Sequence, residues 1–163
     1  MKKIKKFNSK VIHSGHGADP ETGAVMPPIH LSSTFKQQSP GDFKYEYSRA
    51  GNPTREILEK LLSEIEHGSN AFAFSSGLAA INCLVDAMEN NYHIICSDDV
   101  YGGTRRLFNK IKCENQNIEI SYVDLSKDNN WKGLIKETTK MIWIETPSNP
   151  LLKIIDIEKI KSN

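Results

Sequence analysis

One stretch of the chain decides the fold: His93-Ile94-Ile95-Cys96-Ser97-Asp98-Asp99-Val100-Tyr101-Gly102-Gly103-Thr104. Its first four residues form a short run with two β-branched side chains, which predicts a strand. The segment Gly103–Cys113 follows, with Leu107, Phe108 and Ile111 at helical spacing. A strand that leads through a glycine-containing loop into a helix is the building unit of an α/β protein.

The same alternation continues on both sides of this stretch. Before it, the sequence predicts a helix from Asn52 and Pro53 to Gly68, a strand over Ala71–Ser75 and a helix over Leu78–Met88. After it, we expect a strand over Ile118–Val123, a helix over Asp128–Glu137, a strand over Met141–Glu145 and a last helix capped by Asp156. Units of these lengths predict an α/β fold, a largely parallel sheet with helices on both faces.

Ligands of such sheets bind in the loops after the strands, which are Ser75–Leu78, Ser97–Thr104 and Thr146–Pro150 here. In the first loop, the backbone N–H groups at a helix start and the small Gly77 suit a phosphate. An ordinary turn with a capping serine is the alternative. The loop matches neither GxxxxGK[ST] nor GxGxxG, which disfavours an NTPase or a dinucleotide enzyme.

The other two loops carry further candidate residues. Tyr101, before two glycines, has a ring suited to a flat ligand, or it packs within a solvated acidic turn. Asp98 and Asp99 lack a neighbouring histidine, and His13, His16 and His30 lack a third ligand, so a metal site is disfavoured. Two prolines restrict the backbone of the last loop, which would hold Asn149 in a fixed orientation. A plain turn is the alternative.

Residues 1–50 contain glycines and prolines without a sustained helical period, which predicts an extended arm. An arm of this length without its own core packs on the following domain or on a second subunit. At its end, the segment Tyr45–Arg55 holds two tyrosines and two arginines. We favour anion binding there over a surface loop, because arginine supplies planar donors of fixed charge.

The composition bounds the function. A chain of 163 residues fits one ordinary domain, and a net charge of +1 excludes a strongly basic nucleic-acid arm along its whole length. No apolar run approaches the roughly 18 residues of a membrane span, and no apolar segment of a secretory signal follows the basic start. Three cysteines without a CxxC pair favour free thiols in the cytoplasm.

Five motifs, taken in order, resemble the pyridoxal 5′-phosphate (PLP)-dependent enzymes of cysteine and methionine metabolism. They are Pro27–Phe35, Tyr47–Arg55, Ser75–Ala80, Asp98–Thr104 and Glu145–Pro150. The resemblance covers nearly the whole chain and implies a type I aminotransferase-like fold, with residues 51–163 as the first part of the PLP-binding domain. It also implies a homotetramer in which two subunits build each site, which explains an arm at residues 1–50.

The resemblance implies a role for each matching residue. Ser76, Gly77 and Leu78 would hold the PLP phosphate, Tyr101 would stack on the pyridine ring, and Asn149 would lie near its 3-hydroxyl. Arg106 and Glu145 would be polar groups that support the cofactor-binding wall formed by Tyr101 and Asn149. Tyr47 and Arg49 would reach the phosphate in a neighbouring subunit, and Tyr47 or Tyr101 would take part in proton transfer on a sulfur amino acid.

The resemblance also implies a cofactor-binding lysine in a Ser-x-Thr-Lys segment, an aspartate that pairs with the pyridine nitrogen, and a C-terminal domain. In the family they follow the Thr-Pro-Ser-Asn-Pro turn, and Lys140 precedes that turn and is the wrong element. We therefore expect the N-terminal part of a cystathionine γ-lyase or γ-synthase type of enzyme, inactive by itself. The alternatives are a cystathionine β-lyase or methionine γ-lyase, or a non-catalytic remnant that associates with full-length subunits.

Overall fold

The computed structural model describes residues 6–127 and 130–161, with only the backbone described at Asn130. The chain divides into two compact units, Met1–Phe74 and Ser75–Asn163. The predicted arm at residues 1–50 therefore falls in the same unit as the helix that follows it. The division at residue 50 stays a prediction.

In residues 6–74, the described part of the first unit, the regular elements are the helices α1 (Phe7–His13) and α2 (Pro53–Ile65). The predicted start of α2 is confirmed, since the Asn52 side chain accepts a hydrogen bond from the Thr54 N–H at 2.9 Å. Helix α1 was not predicted, because no side chain caps its first turn. It packs on α2, where the Ser14 hydroxyl donates to the Glu64 carboxylate at 2.7 Å.

The prediction of a strand over Ala71–Ser75 is wrong. Residues 71–74 have no regular secondary structure, and the Phe72 side chain is 77% exposed. A strand needs a neighbouring chain to accept its backbone hydrogen bonds, and a short apolar run does not reveal whether one exists.

The second unit begins with α3 (Gly77–Asp86) and β1 (His93–Ser97). A long helical segment follows, made of α4 (Gly102–Leu107), a π-helical stretch (Phe108–Lys112) and α5 (Cys113–Gln116). The remaining elements are β2 (Glu119–Val123), a 3₁₀ helix (Asn130–Leu134), β3 (Thr139–Trp143) and α6 (Ile157–Lys161). The helix predicted over Asp128–Glu137 is thus only the short 3₁₀ helix; Asp128 and Asn129 lie outside the described residues.

In the described residues the three strands form one parallel sheet in the order β2-β1-β3. The α/β prediction is confirmed. All five residues of the central strand β1 are buried, as expected for a strand covered on both faces.

Alternate residues of β1 enter two separate apolar clusters, one on each face of the sheet. Ile94 and Cys96 pack with α3, α4 and the π-helical stretch through residues such as Phe108. Ile95 packs on the opposite face with Trp131 and Ile155. Within residues 6–127 and 130–161, no helix combines the length and apolar character needed to cross a membrane.

Candidate active site

The carboxyl ends of β1 and β3 are where this sheet can bind a ligand. After β1 the chain enters α4, which packs on one face of the sheet. After β3 it continues to Ile155, which packs on the opposite face. In a sheet of order β2-β1-β3, such a change of side between neighbouring strands marks the place where parallel sheets bind ligands. The loops that contain Tyr101 and Asn149 follow these two strands.

Tyr101 is anchored through its backbone, and the residue is 51% exposed. Its N–H donates to the Glu145 carboxylate at 3.0 Å, which joins the loop after β1 to the loop after β3. A methyl group at Gly103 would overlap the Tyr101 ring, so glycine is needed for the ring to lie over α4. Two of the predicted site residues, Tyr101 and Glu145, are therefore brought together.

Ser97 adds a second link that the sequence did not reveal. Its buried hydroxyl donates to the Trp143 carbonyl and accepts from the Glu145 N–H, both at 3.2 Å. A serine that ends a buried apolar strand is a signal for this role, because its polar side chain must find a partner there.

The start of α3 fits the predicted anion site. Ser76 caps the helix by accepting from the Ala79 N–H at 3.2 Å, while Gly77 and Leu78 remain exposed. The first N–H groups of a helix have no partner within it, so those of Gly77 and Leu78 are available to a ligand. A Cβ at Gly77 would meet no atom within 4 Å, so the space beside this turn is open.

Arg106 and Asn149 are both exposed. The Arg106 guanidinium lies over Gly102, 3.4 Å from where a Cβ would stand. Asn149 follows Ser148, a buried residue whose contacts are described below.

Tyr47 and Arg49 lie together in the first unit. The Arg49 guanidinium is 5.1 Å from the centre of the Tyr47 ring, and both side chains are exposed. Arg55 instead donates to the carbonyls of Ser48 and Ala50, each at 3.0 Å. Of the two arginines in the segment, Arg55 therefore shapes the loop and Arg49 is presented to solvent.

Neither Tyr45 nor Cys96 is suited to proton transfer or nucleophilic chemistry. Burial and a hydrogen bond to Glu56 raise the pKa of Tyr45 to about 12. Burial raises the pKa of the Cys96 thiol to about 12, so this thiol is not a nucleophile at neutral pH. No group of three or more metal-ligating side chains occurs among the described residues.

An open helix start suits a phosphate, and an exposed tyrosine at the carboxyl end of a parallel strand suits a flat ligand. The sequence model of the family described as "Cys/Met metabolism PLP-dependent enzyme" matches residues 8–163. The chain belongs to this family, and the cofactor indicated for it is PLP.

Named relatives support this assignment. The chain is 46% identical over 156 residues to a putative cystathionine gamma-lyase 2 of Caenorhabditis elegans, covering 94% of this chain and 40% of the relative. It is 50% identical over 157 residues to a cystathionine beta-lyase of Lactococcus lactis, covering 96% and 41%. The chain thus spans about two fifths of the length of these relatives.

A solved structure of a cystathionine gamma-lyase is also similar to this chain. The crystal structure of cystathionine gamma-lyase from Lactobacillus plantarum complexed with L-serine matches with a TM-score of 0.88 and 44% identity. The match covers 97% of this chain and 41% of the other.

The described residues fit PLP. The available N–H groups of Gly77 and Leu78 suit a phosphate, and the open space at Gly77 leaves room for one. The exposed Tyr101 ring, which lies against Gly103, offers an aromatic face to a pyridine ring, and Glu145 holds the backbone N–H of the same residue.

Proposed function

We propose that this chain contributes the cofactor-binding wall of a PLP-dependent enzyme that cleaves or forms a carbon–sulfur bond at the γ-carbon of a sulfur amino acid. Its reaction would be that of a cystathionine γ-lyase or γ-synthase. The observation that carries the proposal is Tyr101 at the carboxyl end of β1, with its backbone N–H bonded to Glu145 and its ring exposed beside Gly103. When bound, PLP supplies the electron sink for removing the substrate Cα proton.

The residues of the second unit bind and orient the cofactor in this proposal. Gly77 and Leu78 donate backbone N–H groups to its phosphate, and the Ser76 hydroxyl adds a donor. Tyr101 covers one face of the ring, and Asn149 lies near the ring 3-hydroxyl. Glu145 and Arg106 hold the wall, Glu145 through the Tyr101 N–H.

Residues of the first unit act on a neighbouring subunit in this proposal. Tyr47 and Arg49 form an exposed aromatic–cation pair that suits a phosphate. They would complete the site of a second copy within a homotetramer, and Tyr47 or Tyr101 would carry a proton during turnover. The free thiols of Cys83, Cys96 and Cys113 favour a cytoplasmic location.

A β-lyase is the second candidate, because the Lactococcus lactis relative is a cystathionine beta-lyase with 50% identity. Cystathionine distinguishes the two reactions. Cleavage at the γ-carbon releases cysteine, whereas cleavage at the β-carbon releases homocysteine. Product analysis on the protein that joins this chain to a Ser-x-Thr-Lys segment should find cysteine; homocysteine would replace the proposal by the β-lyase. The 163-residue chain by itself should give no turnover, since its sequence lacks that segment.

Cofactor binding is tested on the 163-residue chain with pyridoxine 5′-phosphate, which has no aldehyde and cannot react with surface lysines. We expect it to bind more tightly than pyridoxine, by calorimetry, because only the phosphate ester contacts the start of α3. Equal affinity for the two compounds would contradict the proposal.

A charge variant at Gly77 locates the phosphate site. Gly77→Asp places a negative charge at the helix start, which favours the helix but repels a phosphate. We expect it to abolish the advantage of pyridoxine 5′-phosphate over pyridoxine. The control is Gly77→Asn, whose side chain is nearly as large as that of aspartate but carries no charge. This variant should keep most of that advantage.

A further inference from the structure

Asp98 and Asp99 are neighbours in sequence but have different surroundings. Asp98 is partly exposed, and both of its carboxylate oxygens accept from the Lys153 ammonium at 2.9 Å. The same ammonium donates to Asp124 at 3.0 Å. These three side chains link the ends of β1 and β2 to the loop after β3. Asp99 is only 9% exposed and has other side-chain partners, which meet those of Asp98 only at the backbone N–H of Lys153.

The buried network of Asp99 surrounds the turn that carries Asn149. Oδ2 of Asp99 accepts from the Ser148 hydroxyl and from the Leu151 N–H, the latter at 2.9 Å. Ser148 is 1% exposed, and its oxygen accepts in turn from the Lys153 N–H at 2.9 Å. One carboxylate therefore holds the chain on both sides of Asn149 and Pro150.

We propose that Asp99 is a positioning residue, which fixes Asn149 relative to the Tyr101 ring. Asp99 stands two residues before Tyr101, so its contact with Ser148 and Leu151 ties the two loops together. The Tyr101–Glu145 hydrogen bond ties the same loops at a second point. The role in cofactor binding rests on the proposed function, whereas the ordering of the loop does not.

Loss of this carboxylate has a defined physical consequence. Without it, the buried Ser148 hydroxyl and the Leu151 N–H lose their acceptor, and a buried donor without a partner is costly. The turn at residues 148–151 then finds new partners in water and moves away from Tyr101. Asn149 contacts the ring of the cofactor in our proposal, so the affinity for the ring should fall while the contribution of the phosphate stays constant.

The experiment compares three variants of the whole chain: Asp99→Ala, Asp99→Asn and Asp98→Ala. Hydrogen–deuterium exchange of peptides spanning residues 146–152 reports the order of the turn. In Asp99→Ala this exchange should be about tenfold faster. Asp99→Asn keeps an oxygen that can accept both hydrogen bonds and should restore most of the protection. Asp98→Ala should leave the turn protected, because Asp99 still holds it.

Binding of pyridoxine 5′-phosphate and pyridoxine gives the second readout. Asp99→Ala should weaken both compounds by the same factor, about tenfold, and Asp99→Asn should recover most of the loss. Lowered stability would also weaken both compounds by one factor. Exchange of peptides outside residues 146–152 tells the two causes apart: it should stay unchanged in Asp99→Ala, and faster exchange throughout the chain would overturn the positioning role.

The two readouts separate the inference from the proposed function. Unchanged exchange of the turn in Asp99→Ala would overturn the positioning role, whatever the binding result. Loosened exchange with unchanged pyridoxine affinity would also overturn it. If the wild-type chain binds neither compound, the proposed function fails, and the exchange data alone then decide whether Asp99 orders the loop.

Discussion

The two compact units of this chain are stabilised in different ways. In the second unit, apolar side chains from the sheet and its helices are fully buried in two clusters. Among residues 6–74, the only buried side chain is Ser14, and apolar residues such as Leu31 and Ile29 are 91% and 76% exposed. The first unit is held mainly by polar contacts, such as those of Asn52 and Arg55.

The two units therefore differ in the source of their stability. Burial of apolar surface is the main favourable term in folding, and the second unit has it. The first unit exposes an apolar groove of about 510 Å³ between α1, α2 and the segment that contains Pro27 and Pro28. Its stability should depend on hydrogen bonds and helix capping more than on single apolar side chains.

Two phenylalanine variants should give the largest contrast between the units. Phe108 is fully buried and meets the Trp143 ring edge-on at 5.5 Å between centroids, so Phe108→Ala should cost about 3–5 kcal/mol of unfolding free energy. Phe72→Ala, in the first unit, should change it by less than about 0.5 kcal/mol. Urea denaturation followed by circular dichroism measures both, and equal losses would contradict the contrast.

A polar variant should have the larger effect within the first unit. Asn52→Ala removes the cap of α2 and two donated hydrogen bonds, to the His30 carbonyl and the Ser48 hydroxyl. We expect a loss of about 1–2 kcal/mol. The exposed Asn70→Ala is the matched control and should be near neutral. A loss at Asn52 no greater than at Asn70 would show that polar contacts do not hold this unit.

Two glycine-to-alanine variants test the candidate site, with a smaller expected change in unfolding free energy than the variants above. Gly103→Ala forces the Tyr101 ring to move, and because that ring is half exposed the cost in stability should stay below about 1 kcal/mol. Its affinity for pyridoxine 5′-phosphate should nevertheless fall several-fold. Gly17→Ala, where a Cβ meets no atom within 4 Å, should change neither property. Unchanged affinity in Gly103→Ala would remove Tyr101 from the proposed site.

The smallest effect is a pH dependence of the second unit. His93 is buried between the hydroxyls of Thr139 at 2.7 Å and Ser121 at 2.9 Å. Burial lowers its pKa, the nearby Lys136 lowers it further, and Glu119 opposes them. The unfolded chain therefore binds a proton more readily, so stability should decrease as the pH falls through and below about 6.5, the ordinary histidine value. In His93→Gln, denaturation between pH 7.5 and pH 5.5 should show a weaker dependence; an identical slope would exclude His93 as its source.

Local signals made part of the fold predictable. Asn52-Pro53 starts α2, and Ser76 caps α3, because capping depends on residues only two or three positions away. Asp156 caps α6 in the same manner, accepting from the Lys159 N–H at 3.0 Å. Strand β1 was predicted because His93–Cys96 is a short run with two β-branched side chains.

Features set by distant partners were not predictable. Helix α1 depends on its packing against α2, and the absence of a strand at residues 71–74 depends on what lies beside them. In the site, Tyr101 was proposed from its position before two glycines together with the family resemblance, and its role stays a prediction. The roles of Ser97 and Ser148 were not found, because their partners lie about 50 positions away.

The strand order has a consequence for folding kinetics. Strand β1 is made first along the chain but occupies the middle of the sheet, and its partners come later. His93 meets Ser121 at a separation of 28 residues and Thr139 at 46. Since closing a longer loop costs more entropy, β1 should pair with β2 before it pairs with β3. The pairing of β1 with β3, which brings the loops of Tyr101 and Asn149 together, would then be the last part of the sheet to form.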